Sequence, residues 1–135
     1  MSGTKLRDGM VILALILASG CWRAPLSLSS DASAMVETRF LLPVASNTGI
    51  PFEESRFEWL EEQLTRRFGG FTYEGEFRGG YYHKGKILRE TSRRYVVAVR
   101  RAQLPELMRF LHEVKRDFKQ EALYVVVSTA EVQML

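Results

Sequence analysis

The hydrophobic pattern from position 38 onward switches between the period of a strand and the period of a helix. Apolar residues recur at every second position from Phe40 to Val44, which predicts a first strand. Pro51 suits the first turn of a helix, and Gly69-Gly70 is expected to end it. Four apolar residues lie on one face of that helix: Phe57, Leu60, Leu64 and Phe68.

The second half of this region repeats the change of period. Residues 71–82 and 87–101 read as two strands around a turn at 83–86, which predicts a hairpin. Pro105 then opens a second helix, and a last strand is expected from about Ala122 to Ser128. The apolar face of the second helix has four members: Leu107, Leu111, Val114 and Phe118.

The order of these elements predicts an α+β domain. Right-handed crossovers place both helices on one face of a four-stranded antiparallel sheet, which is the ferredoxin-like βαββαβ arrangement. A turn centred on Lys84-Gly85 sets Tyr73 opposite Val96 and Phe77 opposite Ser92. This pairing puts the aromatic side chains, with Phe71, Val96 and Ala98, on the helix-covered side. It leaves five residues on the open side: Glu74, Glu76, Arg93, Tyr95 and Val97.

Exposed apolar side chains are the best candidates for a contact surface. Trp59 lies opposite the apolar stripe of the first helix, so a large aromatic is expected at the surface. Leu41, Tyr95 and Val97 make the open face only partly polar. Trp59, Leu41, Tyr95 and Val97 are therefore the predicted partner contacts, and a homodimer through the open face is one expected use of them.

The N-terminus has the three parts of a secretory signal. Lys5 and Arg7 precede an apolar run from Met10 to Ala18, and small residues follow. The run is shorter than the roughly 20 residues that span a bilayer. The only cysteine, Cys21, comes directly after the small residues, as in the lipobox of bacterial lipoproteins. This predicts a signal peptide over 1–20, lipidated Cys21 with a tether over 21–37, and a domain over 38–135.

Lipidation at Cys21 implies a place in the cell envelope, anchored to a membrane. Two alternatives remain open at this stage. One is a plain signal or membrane segment. The other is translation from Met35, which would make the protein a cytoplasmic domain with a regulatory or nucleic-acid-binding role.

No catalytic constellation emerges from the sequence. His83 falls in the hairpin turn and His112 outside the apolar stripe of the second helix, and neither is paired with a carboxylate or nucleophile. Gly79-Gly80 lacks the spacing of a phosphate loop and reads as a bulge or bend. No catalytic residue, metal site or cofactor is therefore predicted.

Charge adds little to this interpretation. The net charge of +3 is a mild bias toward anionic partners. RNA-recognition domains carry a glycine and further aromatics in their central strands, and 93–99 lacks both, so no nucleic-acid partner is expected.

Three segments, Phe68–Thr72, Ile87–Ser92 and Phe118–Tyr124, resemble small bacterial domains of unknown function, some of which are predicted lipoproteins. The resemblance spans about 38–127 and implies no known activity or catalytic residue.

The expected function is a membrane-tethered, non-enzymatic module that binds a partner or itself. The alternative is a small cofactor-independent enzyme of the dimeric ferredoxin-like type. A closed apolar cavity holding Glu76, Tyr95 or His83 would favour the enzyme.

Overall fold

A computed structural model describes residues 32–133 and residue 135. The predicted signal peptide, Cys21 and the first part of the tether lie outside these residues. The described chain forms six main elements: β1 (Met35–Pro43), α1 (Glu54–Phe68), β2 (Thr72–His83), β3 (Lys86–Arg100), α2 (Leu104–Asp117) and β4 (Tyr124–Thr129). A short 3₁₀ turn, Arg101–Gln103, leads into α2.

The four strands form one antiparallel sheet in the order β2-β3-β1-β4. The predicted α+β class, with a four-stranded antiparallel sheet and two helices, is confirmed. The first strand begins at Met35 rather than near Thr38, because Met35 pairs with Arg100 and Val36 with Val99. Val36 is fully buried, so these positions belong to the sheet and its core.

The core lies between one face of the sheet and both helices. The apolar stripes predicted for α1 and α2 are buried in it, together with Phe110. The sheet contributes alternate residues of its two central strands: Val36, Phe40, Leu42, Tyr95, Val97 and Val99. Phe40 and Tyr95 stack with ring centroids 5.4 Å apart, so the two central strands meet at the middle of the core.

Gly69 ends α1 as predicted. Its φ of 89° is left-handed, and its N–H donates to the carbonyl of Thr65. Only glycine adopts this conformation without a steric cost from Cβ. The chain then turns into β2.

An irregularity in β2 changes which residues share a face. Phe77 lies opposite Ser92 as predicted, but Tyr73 lies opposite Tyr95 rather than Val96. One extra residue, Glu74, is accommodated between Tyr73 and Gly75. Tyr73 and Phe77 therefore lie on opposite faces, although strict alternation puts them on one.

The faces predicted for β3 were wrong. Tyr95 and Val97 are fully buried under the helices, whereas Val96 and Ala98 belong to the open face. The segment from Tyr95 to Val99 is apolar throughout, so its own pattern does not distinguish the two faces. The pairing with β2 did not correct this assignment, because the extra residue at Glu74 shifts the register between the two strands.

The interpretation of Gly79-Gly80 as a bulge or bend was also wrong. Gly79 pairs with Glu90 and Gly80 with Arg89 in an unbroken ladder. The irregularity of this hairpin lies at Glu74 instead.

Candidate functional site

Arg93 is the centre of a polar network between α1 and β3. Its guanidinium donates to both carboxylate oxygens of Glu54, at 2.8 and 2.6 Å. The same group lies 3.9 Å from the ring centroid of Phe57, one turn further along α1. Hydrogen bonding to Glu54 raises the pKa of Arg93, and hydrogen bonding from Arg93 lowers the pKa of Glu54.

Tyr95 continues the network into the core. Its side chain is fully buried, and its hydroxyl donates to Oε1 of Glu61 at 2.9 Å. Burial raises the pKa of Tyr95, and the hydrogen bond to Glu61 adds to this effect. The phenol therefore stays protonated at neutral pH.

The polar groups of four side chains in this network are hydrogen-bonded in pairs: Arg93 with Glu54, and Tyr95 with Glu61. Glu54 and Glu61 lie two turns apart on α1, and Arg93 and Tyr95 lie two residues apart on β3. Glu54 and Glu61 share one face of α1, and Arg93 and Tyr95 share one face of β3, so the helix and the strand are joined by two polar contacts. This arrangement holds α1 at a fixed position along β3.

The three residues whose meeting would favour an enzyme do not share a cavity. Tyr95 is in the core, Glu76 approaches Arg93 at the surface at 3.6 Å, and His83 ends β2 at the tip of the hairpin. Two open clefts of about 390 and 620 Å³ lie elsewhere. The first is lined by Ser55, Arg56, Trp59, Asp117 and Phe118, and the second by Arg78, Gly79, Gly80, Arg89, Glu90 and Thr91.

Both histidines lie away from the network. His83 is half-buried with its ring 6.4 Å from that of Tyr81, and His112 is exposed on α2. Within 32–133 and 135, no group of three or more His, Cys, Asp or Glu side chains is placed to hold a metal ion.

Trp59 is exposed only in part. It is 39% exposed, and its ring centroid lies 6.1 Å from that of Phe110 across the two helices. Trp59 therefore packs against α2 and also lines the smaller cleft. The side chain therefore lies at the surface, as predicted, but part of it is covered by α2.

The open face of the sheet mixes ion pairs with apolar side chains. Arg94 pairs with Glu74 at 2.6 Å and places its guanidinium 3.8 Å from the ring centroid of Phe77. Leu41 is half-buried on this face. Of the predicted contacts, Leu41 and Trp59 reach the surface, whereas Tyr95 and Val97 do not.

The hairpin extends beyond the rest of the sheet. β1 ends opposite Ser92, and the N–H of Val44 makes one further bond, to the carbonyl of Thr91 at the base of a two-stranded ribbon. This ribbon, Arg78–His83 and Lys86–Thr91, is here called the arm. Four large apolar side chains of the arm are exposed: Tyr81 (51%), Tyr82 (75%), Ile87 (64%) and Leu88 (39%). The extent of this surface is not readable from the sequence, because the length of an unsupported ribbon depends on where β1 ends.

A second exposed apolar region lies in β4, at the opposite edge of the sheet. Tyr124 is 65% exposed, and Val126 and Val127 are 36% and 42% exposed. None of the helices in the described region is long and apolar enough to cross a membrane.

Solved structures of similar fold include a phage SAM lyase and CutA proteins. A phage SAM lyase bound to S-methyl-5′-thioadenosine matches with a TM-score of 0.58 and 15% identity, over 72% of this chain and 82% of the lyase chain. CutA from Synechococcus elongatus matches with a TM-score of 0.55 and 14% identity, over 73% and 78%. CutA from Pyrococcus horikoshii matches with a TM-score of 0.53 and 15% identity, over 73% and 87%.

At these identities the likeness is one of fold. No family model matches the chain. No curated protein matches it either.

Proposed function

We propose that this chain is a membrane-tethered, non-enzymatic module that associates with itself through exposed strands of its sheet. The observation that carries this proposal is the position of the exposed apolar side chains, which are concentrated on the arm and on β4. Exposed apolar surface of this kind on a small charged domain marks a contact site.

The arm supports self-association by its own energetics. A two-stranded ribbon is only marginally stable in water, because its faces have nothing to pack against. Tyr81 lies opposite Leu88 and Tyr82 opposite Ile87, so both faces of the ribbon are apolar near its tip. Contact with another copy would cover these side chains and stabilise the ribbon.

The proposal includes the ferredoxin-like arrangement of the domain. Strand β1 lies between β3 and β4, and the two helices bury their stripes in one core against one face of the sheet. These features agree with a βαββαβ chain whose crossovers are right-handed.

The proposal also includes a lipid anchor at Cys21 and a place in the cell envelope. Its support is the sequence: a basic start, a short apolar run, small residues and then the only cysteine. The segment resemblance to small bacterial domains, some of them predicted lipoproteins, agrees with it. Labelled palmitate should be incorporated into the wild-type chain in a bacterial host and not into Cys21→Ser. Equal incorporation into both would contradict the anchor.

Self-association is tested on the full chain by light scattering in mild detergent. Replacing Ile87, which is 64% exposed on the arm, by Ser should lower the oligomeric mass. Ile50→Ser is the matched control, because Ile50 is 67% exposed in the loop before α1. A monomeric wild type would overturn the proposal. Equal effects of both variants would show that the arm is not a contact surface.

A further inference from the structure

The outer edge of β4 lacks the features that normally protect a sheet edge. Its six residues, Tyr124–Thr129, include no charge, proline or glycine. Side chains on both of its faces are exposed, Tyr124 and Val126 on the open face and Val127 on the other. Short uncharged segments rich in β-branched residues pair readily with another strand.

The backbone of β4 presents a regular set of free groups at this edge. The N–H of Ala130 donates to the carbonyl of Met35, and the ladder with β1 runs without a break from there to Tyr124. Hydrogen-bonded residues alternate along an antiparallel ladder, so the even-numbered residues face β1. The N–H and C=O groups of Val125, Val127 and Thr129 therefore point outward. No strand in the described part of the chain pairs with them.

The opposite edge of the sheet differs in each of these respects. β2 contains the extra residue at Glu74, which interrupts its ladder. It also carries Glu76 and Arg78 and three glycines. Bulges and charges are the usual protection of an edge strand, so β2 is protected and β4 is not.

We infer that a second copy of this chain adds its own β4 antiparallel to this edge, so that the two sheets become one sheet of eight strands. The inference rests on the self-association proposed above and adds to the contact at the arm a second contact, at the edge of β4. A two-fold axis perpendicular to the sheet keeps each face continuous across the junction, and it pairs odd-numbered residues with odd-numbered residues. Those are the residues whose backbone groups point outward in both copies.

Charge and symmetry favour a second copy as the occupant. Two identical chains carry net charge of the same sign, and the uncharged β4 strand brings no like charges into direct opposition when the chains meet at this edge. When Val125 of one copy lies opposite Val127 of the other, Val126 lies on the axis beside its own equivalent. Tethering both copies to one membrane would raise their effective concentration.

Disulfide trapping in the full chain tests this arrangement. Facing Cβ atoms of a non-hydrogen-bonded pair lie about 4.5–5.5 Å apart, close to the range that a disulfide bridges. Oxidation of Val126→Cys should therefore give a covalent dimer. Ala98→Cys is the control, because Ala98 is exposed on the open face but lies on β3 in the interior of the sheet. The wild type, with Cys21 alone, gives the background.

A second variant tests the backbone groups directly. Val127→Pro removes an outward N–H from each copy and leaves the bonds to β1 in place. In the Val126→Cys background it should weaken dimerisation about 10- to 100-fold, as expected from two lost hydrogen bonds. Circular dichroism should show that the fold is retained, and Val127→Lys serves if it is not.

Other outcomes separate the edge from the wider proposal. Equal trapping of Val126→Cys and Ala98→Cys would assign the contact to the open face. An oligomeric wild type with no trapping at Val126 would leave self-association intact and overturn the edge. A monomeric wild type would overturn both.

Discussion

The hydroxyl of Tyr95 and the carboxylate of Glu61 join the centre of the sheet to the middle of α1 through a hydrogen bond of 2.9 Å. Tyr95 is fully buried, and this burial raises its pKa above the ordinary value of 10.0. The phenol is then protonated in the folded chain at a pH where it ionises in the unfolded chain.

This difference predicts alkaline destabilisation. Below pH 10 both states hold the proton, so Tyr95 adds no pH dependence. As the pH rises above that value, only the unfolded state loses the proton, and the free energy of unfolding falls by up to about 1.4 kcal/mol per pH unit. Urea unfolding at a series of alkaline pH values measures the slope.

Tyr95→Phe should flatten that slope and cost about 1 kcal/mol at neutral pH, because Glu61 loses its partner. Tyr124→Phe removes a hydroxyl from an exposed side chain and is the control. An unchanged slope in Tyr95→Phe would show that the phenol titrates alike in both states.

The contact between Arg93 and Glu54 predicts a dependence at acid pH. The pKa of Glu54 is lowered, so its contribution to stability is present above the ordinary value of 4.5 and is lost as the pH falls through the folded value. Glu54→Gln should make unfolding less sensitive to acid, whereas Glu58→Gln, an equal charge change on the same helix, should not. Urea midpoints between about pH 5 and pH 3 distinguish the two variants.

Arg93→Lys should destabilise the domain at neutral pH. Lysine keeps the charge but loses the two-point contact with Glu54 and the planar stacking on Phe57. We expect a loss of about 1 kcal/mol in the free energy of unfolding. Arg78→Lys on the arm is the control, and an equal loss there would contradict a specific role for Arg93.

Thr38 offers a stabilising substitution. It is fully buried on the core face of β1, and its hydroxyl has no hydrogen-bond partner among the described residues. Thr38→Val keeps the shape and removes the unpaired group, so the free energy of unfolding should rise by about 1 kcal/mol. Thr72→Val, at an exposed site in β2, controls for β propensity. A loss of stability would mean that the hydroxyl is bonded to water.

Two glycines form a matched pair for backbone strain. A Cβ at either Gly69 or Gly79 would meet nothing within 4 Å, but only Gly69 has a positive φ, at 89°. Gly69→Ala should lower the free energy of unfolding by about 1 kcal/mol, while Gly79→Ala should be neutral or slightly stabilising. Thermal unfolding of the two variants measures the difference.

The helices were predictable because each has one apolar stripe at helical spacing and a clear end. In α1 the buried residues are those that the period requires, Phe57, Leu60, Leu64 and Phe68, and Gly69 ends the helix. The α+β class, with a four-stranded antiparallel sheet and two helices, then followed from the order of the elements and the handedness of crossovers. Helical spacing and helix ends depend on short stretches of chain, so they can be predicted from a single sequence.

The faces of the hairpin and the polar network were not predictable in the same way. Nothing in the run from Tyr95 to Val99 marks the outward side, and the extra residue at Glu74 reverses the alternation that was used to decide it. Because Tyr95 was assigned to the open face, a contact with Glu61 on the helix-covered face was not expected.

The extra residue at Glu74 also affects the twist of the hairpin separately from the pairing of its strands. Its removal would leave Tyr73 opposite Tyr95 and Gly75 opposite Arg94, so these strand pairings would be kept, while the ion pair of Arg94 with Glu74 would be lost and the local twist of the ribbon would relax. Deletion of this single residue would therefore change the direction of the aromatic tip without changing any residue that forms the tip.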